Sequence, residues 1–188
     1  MVKKALILTA LLTLHGCSSI INASTDSPIQ QDRGSRTWGS LIDDETTETT
    51  ALVNIKKADP NLSDAHISVT SFNGVVLLLG QAPTNHAKQT AEKVVQSLRK
   101  VRTVYNEIIV AGPISLPARS NDSWLTTKAK SKLLAAKGVP SGRIKVVTEN
   151  GVIYLMGLVS RQEAQLSVNA ISNTYGAQKI VQVFEYIN

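Results

Sequence analysis

The chain repeats itself at an offset of 77 residues (Ile67 to Ile144), and no other feature constrains its fold as much. Ile67-Ser68-Val69 aligns with Ile144-Lys145-Val146, Asn73-Gly74-Val75 with Asn150-Gly151-Val152, and Gly80 with Gly157. Further on, Ala87, Ala91, Val94 and Leu98 align with Ala164, Val168, Ile171 and Tyr175, and Val104 with Val181. Each copy reads α-β-β-α-β. The runs 143–148 and 152–159 are β-rich and joined by Glu149-Asn150-Gly151; Asn-Gly there calls for a hairpin whose turn needs positive φ at both central residues. Phe72-Asn73-Gly74 does the same in the first copy, so Gly74 and Gly151 are structural. Gly80 and Gly157 close the second strand, where a side chain would meet the helix packed above. Ser160-Arg161-Gln162-Glu163 has capping-box spacing, and positions 164, 168, 171 and 175 then fall on one helical face. The expected strands close the copies at 103–110 and 179–187. The expectation is an α/β (α+β) protein of two small tandem sandwiches, residues 43–112 and 123–188, each a three-stranded sheet with helices on one face, with packing between the copies helping both.

The other organising feature lies at the start. Lys3 and Lys4 precede a run from Ala5 to Leu14 broken only by Thr9 and Thr13. That run is too short to cross a bilayer, which takes roughly 20 apolar residues, and has the form of a secretory signal. Its ending, Leu14-His15-Gly16-Cys17, resembles the lipobox of bacterial lipoproteins. The resemblance implies that residues 1–17 are a lipoprotein signal and that Cys17 is acylated and becomes the new N-terminus. Ser18, where an aspartate would tend to retain such a protein in the inner membrane, implies the outer membrane and its periplasmic face. Cys17 is the one cysteine, so no disulfide is available. Residues 18–42, rich in Ser, Asn, Gln, Asp and Thr, read as a flexible tether, and 113–122, with Pro113 and Pro117, as the linker between the copies.

The hairpin Asn-Gly, the glycine in the second strand and the order α-β-β-α-β together resemble the BON domain. A lipobox followed by two such copies resembles the dual BON-domain lipoproteins of the Gram-negative outer membrane. Ser120-Asn121-Asp122-Ser123-Trp124 to Leu134 and Val147-Thr148-Glu149-Asn150-Gly151 to Val159 resemble that family most. The resemblance implies a non-enzymatic protein that binds phospholipid and supports envelope integrity, often at the division site. Some relatives carry a hemolysin label, which implies membrane damage as a further alternative; no long amphipathic or pore-forming segment supports it. The first copy departs from the pattern: its opening helix is short, interrupted by Asp59-Pro60, and its loop is one residue shorter.

Motifs that would carry chemistry are missing. His66 and His86 lie far apart in the sequence, outside any metal-ligand spacing, and neither a nucleophile elbow nor a phosphate-cradling glycine loop occurs. No catalytic residue, metal or cofactor is expected. Asp43-Asp44-Glu45 reads as a favourable acidic cluster at a helix N-terminus, and Asp122 and Ser123 as N-caps before Trp124. Charge is more informative. Residues 43–112 hold 7 Lys/Arg and 8 Asp/Glu, and residues 123–188 hold 8 and 3, so the basic excess lies in the second copy. Export makes nucleic acid a poor partner and anionic phospholipid a natural one. Leu125, Ala129, Leu133 and Ala136 form the core stripe of the helix that opens the second copy. Trp124 lies off that stripe beside Lys128 and Lys132, an arrangement suited to a membrane interface, or to a staple folded back on its own domain. The candidate phospholipid-binding residues are Trp124, Leu125, Lys128, Lys130 and Lys132. The alternative is an adaptor that binds an envelope protein, with the lipid giving location alone.

Overall fold

The computed structural model describes residues 34–112 and 116–187, of which 116–119 by backbone only. Cys17 and most of the expected tether lie outside the described residues.

Helix α1 spans Trp38–Ala58. It opens on Thr37, whose hydroxyl accepts from the Ser40 N–H at 3.1 Å, and ends at Asp59, extended before Pro60 as a residue preceding proline tends to be. Asp44, Thr47, Ala51 and Ile55 are its buried positions, one stripe at helical spacing. Strands β1 (Ile67–Phe72) and β2 (Val75–Ala82) pair antiparallel. They turn on Asn73 and Gly74 at φ 52° and 76°, the positive values that the Asn-Gly pair anticipates. Helix α2 (Asn85–Gln96), capped by Thr84, carries the chain back so that β3 (Thr103–Asn106) and β4 (Ile109–Val110) run parallel to β2.

The second copy repeats this with α3 (Leu116–Ala135), β5 (Ile144–Glu149), β6 (Val152–Val159), α4 (Arg161–Ile171) and β7 (Lys179–Tyr186). Sheet order is β5-β6-β7, with β6 antiparallel to β5 and parallel to β7. The capping box at Ser160 and Glu163 is fully formed.

Several expectations need correction. The first opening helix is long, 21 residues, and Asp59-Pro60 ends it rather than interrupting it. Residues 38–42, read as tether, are its first turn. Residues 116–122, read as linker, belong to α3. Gly39 and Ser40 in one extension and Pro117 in the other hide them, because these residues read as helix breakers although the first turn of a helix tolerates them. The closing strand of the first copy is broken between β3 and β4, where Ile108 turns fully into the core. Helix α4 ends at Ile171, so Tyr175 is not on its buried face but 83% exposed.

Among the described residues, three apolar clusters hold the fold together. One lies between α1, α2 and the first sheet, built on Ala51, Ile55, Val76, Leu78, Ala87 and Val95. Another lies between α3, α4 and the second sheet, built on Ala129, Leu133, Ile153, Leu155, Ala164 and Ile171. The third joins the sheets themselves, with Phe72, Val75, Leu77 and Leu79 against Tyr154, Met156 and Val183. Side chains alternate across a strand, so β2 serves both a helix layer and the other sheet, and all eight of its residues are buried. The layers are therefore helices, sheet, sheet, helices, with α1 and α3 on opposite outer faces. Polar contacts frame the sheet–sheet seam. Arg102 pairs with Glu185 at 2.5 Å, Lys145 with Glu48 at 2.7 Å, and Gln81 donates to Glu149 at 2.8 Å.

Candidate functional site

The two opening helices bury matching sets: Asp44, Thr47, Ala51 and Ile55 in α1, and Asp122, Leu125, Ala129 and Leu133 in α3. Their outer faces differ. At about 100° per residue, the direction opposite the buried set of α3 falls between Trp124 and Leu134, roughly 40° to either side. Both are exposed, Trp124 by 49% and Leu134 by 77%. Thr127 and Ser131, also exposed, lie on the ridge between them.

Lysines flank this ridge on both sides. Lys128 places its Nζ 4.3 Å from the Trp124 ring centre and 5.8 Å from that of Tyr175, a cation held between two aromatic faces. Lys132 Nζ donates to the Asn173 carbonyl at 2.7 Å and ties the turn after α4 to α3. Lys130 lies on the opposite flank, beside Leu134. The structure thus brings together Trp124, Lys128 and Lys132, sets Lys130 across the ridge, and removes Leu125, which is fully buried and belongs to the core. Two surface residues escaped the sequence reading. Leu134 was legible, since its helical position is set by the same periodicity that places Trp124. Tyr175 was not, because only the fold brings its turn under Lys128.

The acidic residues have a different role from the one expected. Helix α1 begins at Trp38, so Asp43 and Asp44 lie beyond the first turn, where the helix dipole has faded. Asp43 pairs with Lys100 at 2.6 Å. Asp44 is buried and accepts from Ser71 Oγ at 2.7 Å, the Asn73 N–H at 2.8 Å, the Gly74 N–H at 3.0 Å and Arg36 at 3.0 Å. Burial pushes its carboxyl up, but the hydrogen bonds from Ser71, Gly74, Asn73 and Arg36 outweigh burial and hold it below the ordinary value. Asp122 is likewise no N-cap. It is buried in α3 and accepts from the Asn150 and Gly151 N–H groups, each at 2.7 Å. In both copies one helix carboxylate clamps the hairpin turn.

The glycines act in two ways. Gly74 and Gly151 (φ 76° and 75°) make the turns. Gly80 and Gly157 sit within their strands, and the obstacle to a side chain is not the helix. A Cβ on Gly157 would lie 2.5 Å from the Arg143 carbonyl oxygen, and one on Gly80 would meet that of His66. Among the described residues, no group of three or more His, Cys, Asp or Glu could hold a metal ion, and no helix is long and apolar enough to cross a membrane.

The order of elements, the clamped Asn-Gly hairpins and the strand glycines recur in both copies, and the BON domain model matches residues 43–112 and 121–188. The chain belongs to the BON-domain family. This BON protein is 34% identical over 186 residues to the outer membrane lipoprotein DolP of Haemophilus influenzae, covering 99% of this chain and 96% of the relative. It is 38% identical over 152 residues to the 21 kDa hemolysin of Actinobacillus pleuropneumoniae, covering 81% and 78%. With the osmotically-inducible protein Y of Escherichia coli it shares 31% over 147 residues, covering 77% and 72%. This BON protein is a lipid-anchored lipoprotein of the outer membrane, with a role in the envelope.

Proposed function

We propose that the second BON domain binds anionic phospholipid through the outer face of α3, and that this supports envelope integrity, at the division site included. Lipid on Cys17 anchors the chain to the periplasmic face of the outer membrane. The reading is one of binding, not catalysis. It is carried by the exposed Trp124 and Leu134 on one ridge with lysines to either side. An aromatic ring and a leucine can enter the headgroup region while ammonium groups meet phosphates. The equivalents of Trp124 and Lys128 in α1 are Thr46 and Thr50, 78 residues earlier, so the first domain lacks this chemistry.

Co-sedimentation of the unacylated chain with vesicles, with and without phosphatidylglycerol, across a salt series tests the reading. Lys132 holds the Asn173 carbonyl, so the charge reversals are made at Lys128 and Lys130, each to Glu. A lysine near an anionic surface contributes roughly 1 kcal/mol, and removing two weakens binding about 30-fold at low salt and little at high salt. Trp124→Ala weakens binding at every salt concentration, because it removes buried apolar area. Unchanged binding by all three variants defeats the proposal. A second reading, an adaptor for an envelope protein, is favoured by the exposed Trp38, Ile42 and Val53 on α1, in the opposite outer layer.

A further inference from the structure

On the far side of Leu134 from Trp124, α3 borders a groove of about 340 Å³, lined by Lys130, Leu133, Leu134, Ser141, Gly142, Ile144 and Val146. That volume lies within the roughly 300–1,000 Å³ of small-molecule pockets. Leu133, Ile144 and Val146 form an apolar floor that continues the core of the second domain. The wall opposite α3 is the turn Ser141–Arg143 before β5. At its middle stands Gly142, where an added Cβ would meet nothing within 4 Å. The first domain has Ala65 at this position and Lys56 at that of Leu134, at the offsets of 77 and 78 residues. Lys130 is exposed and has no ion-pair partner among the described residues.

We infer that this groove takes one acyl chain of an anionic phospholipid, with Lys130 meeting the phosphate. The inference rests on the lipid-binding role of α3 proposed above and names what the surface does with a single lipid. Two observations select that occupant. Leu134 belongs both to the exposed ridge and to the groove, so a chain leaving the bilayer beside the ridge stays in apolar surroundings. The cation stands at the rim and not on the floor, as an amphiphile with an anionic head requires. Trp124 and Lys128 then hold the leaflet, and the groove holds one molecule of it.

The test uses the acylated full chain in vesicles of phosphatidylethanolamine and phosphatidylglycerol, the latter partly carrying a photo-crosslinker on one acyl chain. Cross-linked residues are mapped by mass spectrometry. The expected products are on Leu133, Ser141, Ile144 and Val146 as well as on Leu134. Gly142→Phe fills the groove from a position with open space, and lowers the floor and wall products about tenfold while cross-links at Trp124 and Tyr175 persist. Gly142→Leu, a smaller filling, gives the same pattern. Cross-links confined to Trp124, Tyr175 and Leu134, or groove products unchanged in the filled variants, overturn the inference and leave the surface reading standing. No cross-link on any part of α3 overturns both. The map of the native chain decides even where a filled variant folds poorly.

Discussion

Asp44 and Asp122 are the single residues on which most local structure depends. Each sits at the seventh position of its helix, counted from Trp38 and from Leu116, and closes the turn between the first two strands of its domain. Asp122→Ala orphans two backbone N–H groups, at a cost of about 1–3 kcal/mol for each buried group left unpaired. Chemical denaturation measures it, and a loss below about 0.5 kcal/mol would show that water replaces the carboxylate. For Asp44 the pH dependence is also set. Its folded carboxyl titrates below the ordinary value of 3.8, so the clamp's contribution is complete above that value and is lost as pH falls through the lowered one. Melting temperature against pH is therefore expected to fall steeply in acid for the native chain and less steeply for Asp44→Asn. The sequence made Asp122 look like an N-cap because Asp-Ser before an apolar stripe has that form locally. Its true partners lie 28 and 29 residues away. One signal was available: an acid 29 residues before Asn73-Gly74 in one copy and 28 before Asn150-Gly151 in the other.

At the scale of elements, the strand and helix periodicities were legible, and the close approaches between elements were not. Gly157 shows the difference. Its place in β6, opposite Ile144, follows from the hairpin register, but the tight neighbour is the Arg143 carbonyl where β5 begins. Gly157→Val must push that backbone aside, and overpacking of this kind costs about 1–3 kcal/mol. A melting temperature within error of the native value would show that the strand entry yields freely. Gly80, whose φ is also positive at 112°, is the less tolerant of the two. Helix ends were the least legible features. The first turns of α1 and α3 carry Gly39 with Ser40 and Pro117, residues that read as breakers in a sequence but are tolerated where a helix begins.

At the scale of the whole molecule, the seam between the sheets is decisive. Tyr154 lies in it, 6% exposed. Burial, with Glu107 and Glu149 nearby, pushes its hydroxyl up from 10.0 to about 12. A folded value above the unfolded one contributes stability that is complete below pH 10.0 and is lost as pH rises through about 12. Melting curves across that range are expected to fall more steeply for the native chain than for Tyr154→Phe, and parallel curves would show that the tyrosine ionises without cost. The sequence by itself determined the repeat, the hairpins, the core stripes and the concentration of basic charge in the second copy, because each is written in residues close along the chain. Only the tertiary structure decided which face each element shows. Ile108 turned into the core between β3 and β4, Tyr175 came out beneath Lys128, and the apolar outer faces of two sheets covered each other. Those outcomes depend on contacts between residues far apart in the chain, and local periodicity holds no record of such partners.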